Sequence, residues 1–208
     1  MNQLPKIKSA TTALTAGGLL FHEFEALQGI LVSDNLPALL IDEVTNNQFL
    51  KIKSQEARKR IITEIKRRFT VVDIEFWSHW MEFTAEEKRL ALLFVVLKTY
   101  PIAFDLHFEV TVPNWRAKQF EMDTFSYQMR MDELASQGHV VEKWSATTKK
   151  RTISHYMGML REAGIMKGNV LKLPTGIGMD FWQYMARIAN PWFFEACLLN
   201  KKERDKYL

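Results

Sequence analysis

Ser145-Ala-Thr-Thr-Lys-Lys-Arg-Thr-Ile-Ser-His-Tyr-Met-Gly-Met-Leu-Arg-Glu-Ala-Gly-Ile-Met-Lys-Gly-Asn-Val-Leu-Lys-Leu173 is the stretch whose reading decides the fold. The Ser145 hydroxyl can accept a hydrogen bond from a free first-turn amide and so begin a helix. At about 100° per residue, Ile153, Tyr156, Met157, Leu160 and Ala163 share one side of that helix. Thr147, Thr148, Arg151, Ser154 and His155 share the other. Gly164 stops it, since glycine alone enters the left-handed conformation without penalty. Two short apolar runs then flank Gly168-Asn169, the pattern of a β-hairpin. A helix with a basic outer face followed by a small hairpin is the second half of a winged helix, which points towards DNA. The same pattern also suits an α-rich fold in which a polar helix face is merely solvated.

Working outward, 208 residues suffice for one large domain or two small ones. Apolar residues make up 47%, with 14 Phe, 6 Trp and 10 Met, as in a folded protein. The net charge of +4 favours an anionic partner only weakly, so its distribution matters more. The single cysteine, Cys197, excludes an internal disulfide framework and a multi-cysteine zinc site. Its apolar neighbours predict a buried, inert thiol. The longest apolar run, residues 90–97, falls far short of the roughly 20 residues of a membrane span. Lys6 and Lys8 precede a small-residue stretch as in an export signal. Thr11, Thr12 and Thr15 interrupt it, however, and His22, Glu23 and Glu25 follow, so the expectation is a cytoplasmic protein without an anchor.

Residues 1–8 read as a tail. From Ser9, the positions Leu14, Gly17, Leu20, Phe21, Phe24, Leu27 and Leu31 keep helical spacing. Gly17-Gly18 within that helix would cost roughly 1 kcal/mol each, which predicts a close crossing by a neighbour. A second helix runs from Pro37 to about Asn46. Ser54 then caps a third, with Ala57, Ile61, Ile62, Ile65 and Phe69 on one arc and Lys59, Arg60, Thr63, Lys66 and Arg67 on the other. Residues 51–68 hold eight basic and two acidic side chains, more positive charge than the whole chain carries net. Three helices ending in a basic, capped one match a helix-turn-helix, whose last helix lies in or across the major groove. The alternative is a solvated surface helix with a pair such as Arg60–Glu64.

The balance reverses over residues 73–109, with seven acids against three bases. Asp73 opens a helix holding Phe76, Trp77 and Trp80, which more often fill a core than stack on bases. Thr84 and Glu87 form a capping box ahead of a buried central helix that Pro101 closes. Pro113 reads as a break. An amphipathic helix occupies 122–137, with Phe125, Met129 and Leu134 as its apolar face, and Gly138 ends it. Residues 143–172 form a second basic island, seven bases to one acid. After Gly176-Ile-Gly178 come a helix through Phe181 and Tyr184, a last apolar helix begun by Asn190-Pro191, and a charged end. The expected fold class is mainly α and multi-helical, with an N-terminal helix-turn-helix-like unit and a C-terminal winged-helix-like unit carrying a short β-hairpin. Its divisions are 1–70, a helical core at 71–121, and 122–208.

No nucleotide-phosphate loop is present, and Gly176-x-Gly178 is too short for a dinucleotide fingerprint. The five histidines lack HExxH spacing and cysteine partners, so no metal site is expected. Glu64-Ile-Lys66 and Glu86-Glu87-Lys88 imitate part of a nuclease motif but lie on predicted helices. The reading assigns no catalytic residue and no cofactor.

Lys8-Ser-Ala, Leu14-Thr-Ala-Gly-Gly-Leu-Leu20, Ala57-Arg-Lys-Arg60, Glu64-Ile-Lys-Arg-Arg-Phe69, Leu97-Lys-Thr-Tyr-Pro101 and Met159-Leu-Arg-Glu-Ala-Gly-Ile165 together resemble the BrxA family of bacterial BREX phage-defence systems. The resemblance covers roughly residues 8–173. It implies an α-rich, non-catalytic protein that binds double-stranded DNA beside other BREX proteins, with no membrane and no small-molecule substrate. By position it implies contacts from Arg58, Lys59, Arg60, Lys66 and Arg67, and from Thr147, Thr148, Lys149, Lys150 and Arg151. Thr63 and His155 join them from the outer faces of the same two helices. The rival expectation is an assembly adaptor using the Trp77/Trp80 and Phe193/Phe194 regions. RNA binding is a third reading, and an enzyme the last.

Overall fold

Side chains of Ser54, Asp73, Thr84, Asp123, Ser145 and Asn200 each accept a first-turn amide and set the start of a helix. The computed structural model describes residues 14, 17–189 and 191–207, and the chain divides into a unit of residues 20–83 and a unit of residues 84–208 to which the described residues 14 and 17–19 also belong. The fold is mainly α with one two-stranded antiparallel sheet. No single helix among the described residues is long and apolar enough to cross a membrane.

In the unit of residues 20–83 the helices are α1 (Phe21–Leu31), α2 (Leu36–Asn46), α3 (Gln55–Phe69) and α4 (Ile74–Glu82). The helix expected from Ser9 begins at Phe21, after Leu20 turns left-handed at φ 60°. Residues 9–13, 15 and 16 of that expectation lie outside the described residues. Trp77 is wholly buried and stacks between Phe24, at 4.9 Å, and Phe69, at 5.3 Å. Its Nε1 donates to the Phe69 carbonyl at 3.1 Å. Those contacts bind α4 to α1 and α3, so the unit extends to residue 83 rather than 70.

The connection between α2 and α3 is held from both sides. Glu43, 1% exposed, accepts hydrogen bonds from the amides of Gln48, Phe49 and Leu50 at 2.8–3.1 Å. Asn47, left-handed at φ 51°, accepts from the Ile52 amide. From α3, the Arg58 guanidinium donates to the carbonyls of Val44, Thr45, Ile52 and Lys53 at 2.6–3.4 Å. A buried charge is tolerable only when its hydrogen-bonding capacity is filled, and here backbone fills it on each side.

The unit of residues 84–208 is built on α5 (Ala85–Thr99), which the Thr84–Glu87 capping box opens. Every residue from 90 to 97 is buried. Then come α6 (Pro101–Leu106), a π-helical turn (His107–Thr111) and α7 (Val112–Arg116). The expected break at Pro113 does not occur: the helix runs on unbroken from the π-helical turn into α7, and proline stands directly after that turn, where the hydrogen-bond register changes. Next are α8 (Thr124–Ser136), a 3-10 turn (Val140–Lys143), α9 (Ala146–Glu162), β1 (Met166–Lys167), β2 (Val170–Leu171), α10 (Met179–Ile188), α11 (Trp192–Ala196) and α12 (Lys201–Arg204). Residues 84–121 thus pack with residues 122–208 in one unit rather than as a separate core.

The apolar face of α8 differs from the expected one. Tyr127, Met131 and Leu134 are buried, whereas Phe125 is 65% and Met129 58% exposed. Both sets have helical spacing, and the tyrosine is drawn inward by a hydrogen-bonded chain. Tyr127 and Tyr156 both meet Thr111 Oγ1, at 3.1 and 2.7 Å. Tyr156 donates to His107 Nδ1 at 2.8 Å, and His107 Nε2 donates to the Ala196 carbonyl at 2.9 Å. With both ring nitrogens engaged in these roles the imidazole is neutral, and its burial pushes its pKa down from 6.5 to about 4.

Substitution at these two buried groups tests their roles. Arg58→Ala strands buried carbonyls and is expected to lower unfolding free energy by about 3 kcal/mol in urea titrations. Lys59→Ala should stay within about 0.5 kcal/mol of wild type, and equal effects would remove Arg58 from its structural role. Because the folded pKa of His107 is depressed, the unfolded chain binds its proton first as pH falls. Its contribution is complete above about pH 6.5 and lost progressively towards about pH 4. Between pH 6.5 and 5, wild type should lose about 1.5 kcal/mol more than His107→Gln. Parallel pH profiles would contradict this.

Candidate nucleic-acid interface

On α3 the Ser54 hydroxyl accepts from the Ala57 amide at 3.3 Å, so the helix starts as its sequence requires. Ile62 and Ile65 are buried beneath it. Lys59, Arg60, Thr63 and Arg67 are exposed and Lys66 half-buried, with Lys51 and Lys53 exposed on the loop before. Two cations leave this surface. Arg68 is wholly buried and binds Glu64 at 2.6 Å. Arg58, expected at the interface, is 7% exposed with its guanidinium spent on carbonyls, so it is corrected to a structural residue. Glu64 turns to Arg68 and, at 3.6 Å, to Arg67. With that acid drawn inward, the outer face keeps its positive character.

On α9 Ser145 accepts from the Thr148 amide at 3.1 Å, and the two hydroxyls meet at 2.9 Å. Thr148 is thereby turned to the cap and half-buried. Thr147, Lys150 and Arg151 are exposed. Lys149 Nζ is 3.0 Å from Asp132 on α8. The Gln128 amide, and then Lys149, hold the Asp132 carboxyl below the usual carboxylate range. His155 is half-buried and stands against Gly17, where a Cβ would lie 3.3 Å from its ring. Leu19 N–H donates to Glu162 at 2.8 Å. The close approach expected of Gly17-Gly18 is therefore real, though it comes from chain lying along α9 rather than from a crossing helix.

The hairpin after α9 pairs Met166 with Leu171 and Lys167 with Val170, around Gly168 at φ 59°. Arg161 holds its turn, donating to the Gly168 carbonyl at 2.6 Å and to Asn169 Oδ1 at 3.0 Å. A third extended segment joins it. Met122 N–H donates to Asn169 O at 2.7 Å, Leu171 N–H to Phe120 O at 2.8 Å, and Glu121 lies opposite Val170. Residues 120–122 are too short for a strand period to be read, so this partner was not visible in the sequence. Arg161 registered there only as one more positive charge.

Other candidate chemistry is absorbed by the fold. Glu87 accepts from the amides of Thr84, at 2.9 Å, and Gly178, at 2.8 Å, while Glu64 is held by Arg68, so each nuclease-like triplet has an acid committed to structure. Among the described residues no group of three His, Cys, Asp or Glu is placed to hold a metal ion. Burial pushes the Cys197 thiol well up. Trp77, Trp80, Phe193 and Phe194 are all fully buried, so the surfaces proposed for an adaptor are core instead.

The segments that build both cationic helices and the hairpin fall within residues 11–173, which the BrxA family model matches. No curated protein matches the chain. A match over that share of the 208 residues establishes kinship, and the chain belongs to the BrxA family, whose members are components of BREX phage-defence systems.

Proposed function

We propose that the chain is a non-catalytic component of its BREX system that binds double-stranded DNA. The observation carrying this reading is the order of elements in the unit of residues 84–208. An extended segment (120–122), α8, a short turn, α9 and a hairpin paired back to that first segment form the succession of a winged helix. In such units the second helix of the pair enters the major groove by its N-terminal residues. Thr147, Lys150 and Arg151 occupy that part of α9 and are exposed, and Lys167 is exposed on the hairpin. In the unit of residues 20–83, Lys59, Arg60, Thr63, Lys66 and Arg67 supply a second cationic helix face, in a helix-turn-helix-like arrangement.

Lysines and arginines on outer faces bind phosphates and carry little sequence information. Modest sequence preference and a steep loss of affinity with salt, through counterion release, are the expected signatures. The combined Lys59→Glu, Lys66→Glu, Arg67→Glu variant should abolish a duplex gel shift, and Lys150→Glu with Arg151→Glu should weaken it at least about tenfold. Circular dichroism should not change in either. A variant that shifts DNA like wild type removes its helix from the interface. Competition with duplex RNA in the same titration identifies the preferred nucleic acid.

A further inference from the structure

A cavity of about 410 Å³ lies between α7, the segment leading to residues 120–122, and the α11–α12 connection. It belongs wholly to the unit of residues 84–208 and is distinct from the exposed face of α9. Trp115 and Phe120 line it, their ring centroids 4.7 Å apart and their planes at 50°. Rings at that angle form two walls of a corner, not a stack that closes both faces. Arg116, Lys118, Lys201 and Arg204 also line it, against one carboxylate, Glu195. Glu195 pairs with Arg116 and, at 3.6 Å, with Arg204. Lys118 and Lys201 are exposed and form no ion pair among the described residues.

The backbone is strained on two sides of this cavity. Lys118 at φ 61° and Leu198 at φ 65° are left-handed residues other than glycine, and both line it. Such conformations cost of order 1 kcal/mol or more and persist where surrounding structure enforces them. At Lys118 the turn is enforced by its amide donating to Trp115 O at 3.0 Å, and by Gln119 N–H donating to Asn114 O at 2.9 Å. The result places an unpaired ammonium next to an aromatic corner. Aromatic walls for a planar ring, with surplus positive charge at the rim, are what a nucleotide requires.

We propose that this cavity binds a single nucleotide, its base against Trp115 and Phe120 and its phosphate at Lys118 and Lys201. The nucleotide is either free or the unpaired end of a DNA strand. Calorimetry on the full chain uses deoxyadenosine 5′-monophosphate, with adenosine and inorganic phosphate as controls. Each control should bind roughly tenfold more weakly than the nucleotide, because each lacks one half of the recognition. A second arm compares a blunt duplex with the same duplex bearing a three-nucleotide overhang. Preference for the overhang assigns the site to DNA ends, and nucleotide binding without that preference assigns it to free nucleotides. Lys118→Glu with Lys201→Glu should reduce binding roughly tenfold with an unchanged circular dichroism spectrum. Trp115→Phe should retain binding and Trp115→Ala lose it. Absence of both nucleotide binding and overhang preference overturns the proposal, as does full binding by the lysine double variant. Blunt-duplex affinity reads the α3 and α9 faces separately, so the failure of either reading is distinguishable from that of the other.

Discussion

A guanidinium withdrawn from solvent, with its donors ending on backbone carbonyls, sets the geometry of the basic helix in the unit of residues 20–83. Arg58 reaches Val44, Thr45, Ile52 and Lys53, while Glu43 gathers the amides of residues 48–50. Residues 47–53 form no regular ladder among themselves, so their polar groups need partners of another kind once buried. Two opposite charges supply those partners. Neither has to meet the other, because each is neutralised by backbone dipoles of the sign it needs. The outer residues of α3 are then presented from a fixed connection rather than a mobile one.

The unit of residues 84–208 solves the same problem with neutral groups. Tyr127, Thr111, Tyr156 and His107 form a chain of hydrogen bonds ending on the Ala196 carbonyl. It connects α8, the π-helical turn, α9 and α11 through the interior, leaving the solvent face of α9 to its own chemistry. The hairpin is fastened to α9 by Arg161 and to residues 120–122 by backbone hydrogen bonds. Some positive charge is thus spent on architecture, and Thr147, Lys150, Arg151 and Lys167 remain outward with their neighbours. A count of basic residues overstates the cationic surface for this reason.

Local chemistry was legible wherever a residue acts on its immediate neighbours. The caps at Ser54, Asp73, Thr84 and Ser145, the stop at Gly164 and the hairpin turn at Gly168 all stand where the residue types demand. Each is decided by a few adjacent amides and one backbone angle. The buried helix over residues 90–97 was readable because an unbroken apolar run allows only one environment. The family resemblance was carried by segments of the same local kind.

Tertiary structure decided the remainder, because burial depends on partners distant in the chain. Nothing local separates Arg58 from Lys59, yet one points at carbonyls 14 residues earlier and the other at solvent. Phe125 and Tyr127 are both aromatic and two residues apart, and only the second finds Thr111. The pairing of residues 120–122 with a hairpin some fifty residues later, the enclosure of Trp77, and the corner made by Trp115 and Phe120 are of the same kind. The sequence by itself determined where the side-chain-capped helices of Ser54, Asp73, Thr84 and Ser145 start, that Gly164 stops α9, and that positive charge is concentrated in two helices. Folding alone determined which of those charges remain outside, since that turns on which backbone groups need a donor once the chain has closed around them.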